Sequence, residues 1–306
     1  MGDWLQVASV LKCHQSSINS LDFTKDGELL LSSGDDARIA LHSTTKGKTE
    51  RVALCASNGA SLARFTHDPL SIIHASPVDH AVRYMSLHDN RYMRAFRAHT
   101  EPITSLEMSP KEDFFTSAAM DGTARIWDLR TTNCQGVLRF EANGHRPVVS
   151  FDPLGMVFAA AIGGSQVKLY DVRGFDKGPF ETFAPDLGGR TSFSSLKFSN
   201  DGKLMLLSTT RGAIALLDAY HGTLLHTLTG HANEQGMPLE ASFTPDGQFV
   251  VAGAEDGGIW RWSVVNGQAF PVVREHNKPV RVIRCNPTRT MLVSACSALC
   301  LWLPPG

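Results

Sequence analysis

The stretch Asp121-Gly122-Thr123-Ala124-Arg125-Ile126-Trp127-Asp128 decides the fold. Asp121-Gly122 is a tight-turn pair, and the residues after it alternate up to Trp127-Asp128. A Gly turn feeding a period-two strand is a hairpin signal. Upstream stands Ala98-His99, with His99 22 positions before Asp121. A small residue plus His, then a hairpin, then Trp-Asp describes one compact antiparallel unit that cannot bury its own apolar faces. Such units recur at roughly 40–45 residues.

The recurrence is present. Taking Trp127 as a third-strand anchor, equivalent positions fall at His42, Met85, Tyr170, Leu217, Trp262 and Trp302. The gaps are 43, 42, 43, 47, 45 and 40 residues. Repeats of this length predict an all-β, seven-bladed β-propeller as a single domain over residues 1–306. His14, His99, His145, His231 and His276 open repeats, and turns such as Asn200-Asp201-Gly202 and Pro245-Asp246-Gly247 separate apolar strands. No segment holds a 3.6-residue apolar stripe, so almost no helix is expected. After Trp302 only Leu303 to Gly306 remain, too few for an outermost strand, whereas Trp4 to Leu11 reads as a strand. The N-terminal strand is therefore expected to close the last blade and remove a free sheet edge.

Composition narrows the function classes. The 306 residues carry a formal net charge of −1, so there is no global basic field for nucleic acid or acidic membranes. No apolar run reaches the roughly 18 residues of a membrane span, and the start lacks the basic and apolar regions of a signal peptide. The six cysteines form no Cys-x-x-Cys, and the 12 histidines form no metal-type cluster, so no disulfide framework, metal or cofactor is expected. No phosphate-binding glycine loop is present.

His99, Ser117, Asp121 and Trp127 have the residue types of a nucleophile constellation. The same types recur in phase as His14, Ser32 and Asp36, and as His231, Asp256 and Trp262. A catalytic triad occurs once, whereas a structural network recurs. These residues are therefore read as buried hydrogen-bonded sets that tie strands together, and the chain as no enzyme. His42 stands where an aromatic is usual, so the first blade is expected to lack the indole.

The segments between the signatures are more particular. They include Ser86-Leu87-His88-Asp89-Asn90-Arg91-Tyr92-Met93-Arg94, Asn133-Cys134-Gln135-Gly136, Val148-Val149-Ser150-Phe151-Asp152-Pro153, Phe175-Asp176-Lys177-Gly178-Pro179-Phe180 and Leu239-Glu240-Ala241-Ser242-Phe243. Together they resemble the Swd-type WD-repeat subunit shared by the COMPASS histone methyltransferase, PNUTS–protein phosphatase 1 and cleavage-polyadenylation complexes. The resemblance spans nearly the whole chain. It implies a nuclear, non-catalytic adaptor at transcribing RNA polymerase II. The implied partners are a PNUTS-like phosphatase regulator, a histone methyltransferase subunit and the phosphorylated polymerase tail. The propeller itself would be monomeric within the hetero-complex.

A second resemblance is shorter. Trp127-Asp128-Leu129-Arg130 and Tyr170-Asp171-Val172-Arg173 resemble the Trp-Asp-x-Arg box of cullin-RING ubiquitin ligase substrate receptors. The plain reading is a local Asp–Arg pair. The face carrying the His-bearing loops is the expected contact surface, with Arg64, Arg146, Arg190, Lys278 and Arg281 as candidates for an acidic or phosphorylated peptide. Residues 140–146 and 173–192 stand out as surface elaborations.

Overall fold

In the hairpin around Gly122, Phe114–Ala119 and Thr123–Asp128 pair antiparallel, with Ala119 opposite Thr123 and Phe115 opposite Trp127. Gly122 sits at φ +72°, which a side chain would resist. Ile103–Met108 lies on one side of this pair and Cys134–Arg139 on the other, completing a four-stranded blade.

The computed structural model describes residues 5–140, 146–187 and 192–305. They form seven four-stranded antiparallel sheets. The innermost strands are Ile18–Phe23, Ser61–Phe65, Ile103–Met108, Val148–Phe151, Phe193–Phe198, Ala241–Phe243 and Val282–Cys285. Each touches the next, and the last touches the first, so the ring closes. Among the described residues the only helical element is a 3-10 turn, Phe175–Lys177. None is a helix long and apolar enough to cross a membrane.

The seventh blade is closed by the N-terminus. Gln6–Leu11 pairs with Leu299–Leu303, Gln6 opposite Leu303 and Leu11 opposite Leu299. The seam between blades seven and one is also bonded: the Ile18 amide donates to the Cys296 carbonyl at 2.7 Å, and the Asn286 side-chain amide to the Gly27 carbonyl at 2.7 Å.

Core lies between blades rather than inside them. Ile73, Val82 and Phe96 of blade two pack on Leu106, Phe115 and Trp127 of blade three. There Phe96 meets Phe115 edge-on at 4.9 Å, and Trp127 is 1 % exposed. In blades one, two, three and five the register between third and fourth strands slips at the anchor residue, at His42, Met85, Trp127 and Leu217. Such a bulge raises local twist, which a radial sheet needs.

Candidate functional site: a charged central channel

The recurring polar residues are consumed by the scaffold in three blades, each in a different way. In blade three, His99 Nδ1 lies 2.9 Å from Asp121, His99 Nε2 lies 2.7 Å from Ser117 Oγ, and the Trp127 indole N–H donates to the same Oγ at 2.9 Å. Burial, opposed by Asp121, lowers the His99 pKa, so the ring is neutral at pH 7. Its proton then faces Asp121, and Ser117 donates to Nε2.

Blade one lacks the indole, and an imidazole replaces it. His14 bridges Asp36 at 3.0 Å and Ser32 Oγ at 2.8 Å, while His42 Nε2 reaches the same Oγ at 2.9 Å and His42 Nδ1 reaches Thr49 at 3.0 Å. Burial, with His14 nearby, lowers the His42 pKa to about 3, so it serves as a neutral partner. Blade seven has His276, Ser294 and Trp302 in place, at 2.6 Å and 2.8 Å around Ser294 Oγ. There the group on His276 Nδ1 is the Cys296 thiol, at 3.1 Å.

Blade six departs from expectation. His231, Asp256 and Trp262 do not form a shared set. The residue opposite Trp260, where a serine would be needed, is Ala252, which has no hydroxyl. The Trp262 N–H donates instead to the Thr229 carbonyl at 3.1 Å, and Asp256 accepts from Arg274 at 2.8 Å. His231 stacks edge-on to Trp262 at 5.5 Å, and its Nδ1 is buried without a hydrogen-bond partner.

The channel holds most of the remaining chemistry. The penultimate residue of every innermost strand lines it: Asp22, Arg64, Glu107, Ser150, Lys197, Ser242 and Arg284. All but Arg64 line one cavity of about 350 Å³, and Arg64 shares a neighbouring one with Asp22 and Glu107. Two residues before Ser242, Glu240 accepts from Lys197 at 3.0 Å and lies 3.9 Å from Arg284. Burial pushes the Glu240 carboxyl up, but Lys197, Arg284 and Arg64 outweigh it and hold it at about 2. Burial and the Arg284 charge lower Lys197 to about 8. Burial raises Glu107 against the pull of Arg64 and Arg284. The ion pairs of Glu240 with Lys197 and Arg284 thus join blades five, six and seven across the channel wall.

The upper mouth, where the innermost strands begin, brings two of the five contact candidates together. Arg146 and Arg281 line a cavity of about 170 Å³ with Asn19, Asp35 and Glu240. Arg281 donates to Asp35 at 3.1 Å, and Arg146 to the Thr104 carbonyl at 2.8 Å with its Nε buried and unpartnered. Lys278 is exposed on the loop leading into blade seven. Arg64 is not a surface residue: it is 5 % exposed and bonds the Ala63 carbonyl inside the channel. The reason is strand phase, which turns its side chain to the axis. Arg190 lies outside the described residues, as does most of the 140–146 connection.

Sequence reading missed the channel ring. The signal was available, because each member precedes the residue that ends its strand, usually Phe. The Asp-x-Arg boxes close on themselves: Arg130 grips Asp128 through two bonds of 2.9 and 2.7 Å, and Asp171 accepts the Arg173 backbone N–H at 2.8 Å. Of the 173–192 segment, residues 188–191 lie outside the described residues, and Phe175 at its start is structural, lying where a side chain on Gly136 of blade three would stand. Among the described residues no group of three or more His, Cys, Asp or Glu has the arrangement of a metal site.

A closed ring of seven blades with this in-phase His/Ser/Trp set defines a WD-repeat β-propeller. A family model described as WD domain, G-beta repeat, matches residues 5–43, 90–128 and 222–263. The chain is 42 % identical to WD repeat-containing protein 82 of Drosophila melanogaster, over 98 % of this chain and 94 % of that one. It is 40 % identical to the Set1 complex component swd2 of Schizosaccharomyces pombe, over 76 % of this chain and 67 % of the relative. Against the COMPASS component SWD2 of Saccharomyces cerevisiae it is 29 % identical, over 91 % and 88 %. The chain belongs to this Swd2-type family of WD-repeat proteins.

Proposed function

We propose that this chain is a non-catalytic scaffold subunit of nuclear complexes that work on chromatin and at transcribing RNA polymerase II. The first is a COMPASS-type histone lysine methyltransferase. The second is the PNUTS–protein phosphatase 1 assembly with the cleavage-polyadenylation machinery, acting in transcription termination. The observation that carries the reading is similarity over most of the chain to a family whose members are named as Set1 and COMPASS components. The site chemistry agrees with it. In blades one and three the His, Ser and Asp side chains are spent on each other, which leaves the loop-rich faces for recognition.

The physical means is a rigid disc that loses little entropy when a partner docks. Arg146 and Arg281 at the upper mouth, with Lys278 on an adjoining loop, suit an acidic or phosphorylated segment of a methyltransferase subunit, a PNUTS-like regulator or the polymerase tail. Affinity purification from nuclear extract with mass spectrometry tests this. Methyltransferase subunits or the phosphatase regulator are expected. Recovery of a cullin adaptor, or of none of these, would overturn it.

A further inference from the structure

Blade seven departs from blades one and three at one atom. In those blades the upper histidine gives Nδ1 to a carboxylate, Asp36 at 3.0 Å and Asp121 at 2.9 Å. In blade seven that place is taken by Cys296 Sγ at 3.1 Å, while His276 Nε2 and Trp302 Nε1 keep their shared Ser294 oxygen. The hairpin is shorter there, with Ala295 paired to Leu299 and the Cys296 amide bonded to the Ala298 carbonyl at 3.1 Å. This tight turn swings the sulfur onto the ring nitrogen.

We propose that Cys296 is a covalent-modification site, its sulfur held against the His276 ring nitrogen and open to oxidation by peroxide or capture by a soft electrophile. The geometry puts the sulfur where blades one and three place a carboxylate on the same ring nitrogen. The electrostatics agree. Burial raises the thiol pKa, but the His276 hydrogen bond and charge outweigh it and bring it to about 6. His276 is lowered by burial and raised more strongly by Cys296 and Cys300, to about 9. Burial pushes Cys13, Cys55 and Cys285 the other way, so they stay as thiols. Cys296 is buried, at 7 % exposed, and the half-buried hairpin tip beside it, Ser297 and Ala298, is the side from which a small reagent would reach the sulfur. Low pKa with partial access is what makes a cysteine reactive.

With hydrogen peroxide as co-reactant the step balances. The thiolate sulfur attacks one peroxide oxygen, an S–O bond forms and the O–O bond breaks. Hydroxide leaves and takes the Nδ1 proton of His276 to become water. Sulfur is oxidised by two electrons to the sulfenic acid, and the peroxide is reduced. The site lies at the ring closure, since the Cys296 carbonyl accepts the Ile18 amide of blade one at 2.7 Å. Modification there therefore removes the anion from His276 beside the seam. The inference is independent of which complex the chain joins.

The test is iodoacetamide labelling of the native full chain between pH 5 and 10, followed at each cysteine by peptide mass spectrometry. Cys296 is expected to label with a midpoint near pH 6, ahead of Cys13, Cys55 and Cys285 at low pH. His276→Gln should move that midpoint up by about two pH units or more, and Cys296→Ser should remove the low-pH label. Peroxide should add one oxygen at Cys296, trapped by dimedone. A wild-type midpoint near the ordinary thiol value of about 8.5, or labelling of Cys296 only after unfolding, overturns the proposal. The wild-type profile decides alone if His276→Gln fails to fold.

Discussion

Replacing Ser117 with Ala removes one oxygen and strands two buried groups. Ser117 is fully buried, and its Oγ is the hydrogen-bond partner of the Trp127 indole N–H at 2.9 Å and of His99 Nε2 at 2.7 Å. A buried donor or acceptor left unpaired costs about 1–3 kcal/mol, so the variant should lose roughly 2–5 kcal/mol. The volume change is small, which keeps cavity terms minor. For a chain of this size that loss is a fall in melting temperature of about 3–8 °C. Urea unfolding by tryptophan fluorescence measures it, with Trp127→Phe and the double variant completing a cycle. Because the two side chains share a bond, the double variant should be more stable than additivity predicts by about 0.5–3 kcal/mol. A loss below about 1 kcal/mol for Ser117→Ala, or strict additivity, would refute the view that the set stabilises the blade.

Other outcomes follow from the same structure. His42, His74 and His231 are buried and shifted down, chiefly by burial, to about 3, about 4 and about 4. The fold favours their neutral forms, so their contribution is whole above pH 6.5 and drains as pH falls from there toward about 4. Urea midpoints should therefore decline steadily below pH 6.5, and a flat profile down to pH 5 would contradict this. Glu240→Ala leaves Lys197 and Arg284 in the channel without their shared carboxylate and should cost about 3–5 kcal/mol in chemical denaturation. Gly136→Val occupies the space of the Phe175 ring. It should release the 173–180 loop, seen as faster limited proteolysis there, at about 1–3 kcal/mol of stability.

The sequence made the ring legible because propeller repeats announce themselves twice, through turn residues and through an anchor at fixed phase. His42, Met85 and Leu217 could be placed only by that phase, since none is Trp, Tyr or Phe, and each sits at a strand bulge of its blade. The polar sets were legible where all the partners are present, as at His99, Ser117 and Asp121. They were misread in blade six, because a His, an Asp and a Trp make no network when Ala252 supplies no hydroxyl. Substitution by function rather than by type was also hidden. Nothing in one dimension shows that His42 does the work of an indole or that Cys296 stands in for a carboxylate. Arg64 shows another limit, for a cation between Ala63 and Phe65 reads as surface until strand phase turns it inward.

The proposed function is that of an adaptor whose upper face takes the partner. It is tested most directly by pull-down of a COMPASS-type methyltransferase subunit or PNUTS-type regulator with wild type and with the Arg281→Glu, Lys278→Glu double variant, each checked by thermal melt. Arg281 makes a half-exposed pair with Asp35 and Lys278 is exposed, so the melting temperature should stay unchanged. Binding is expected to fall sharply. Undiminished capture by a fully stable double variant would contradict it.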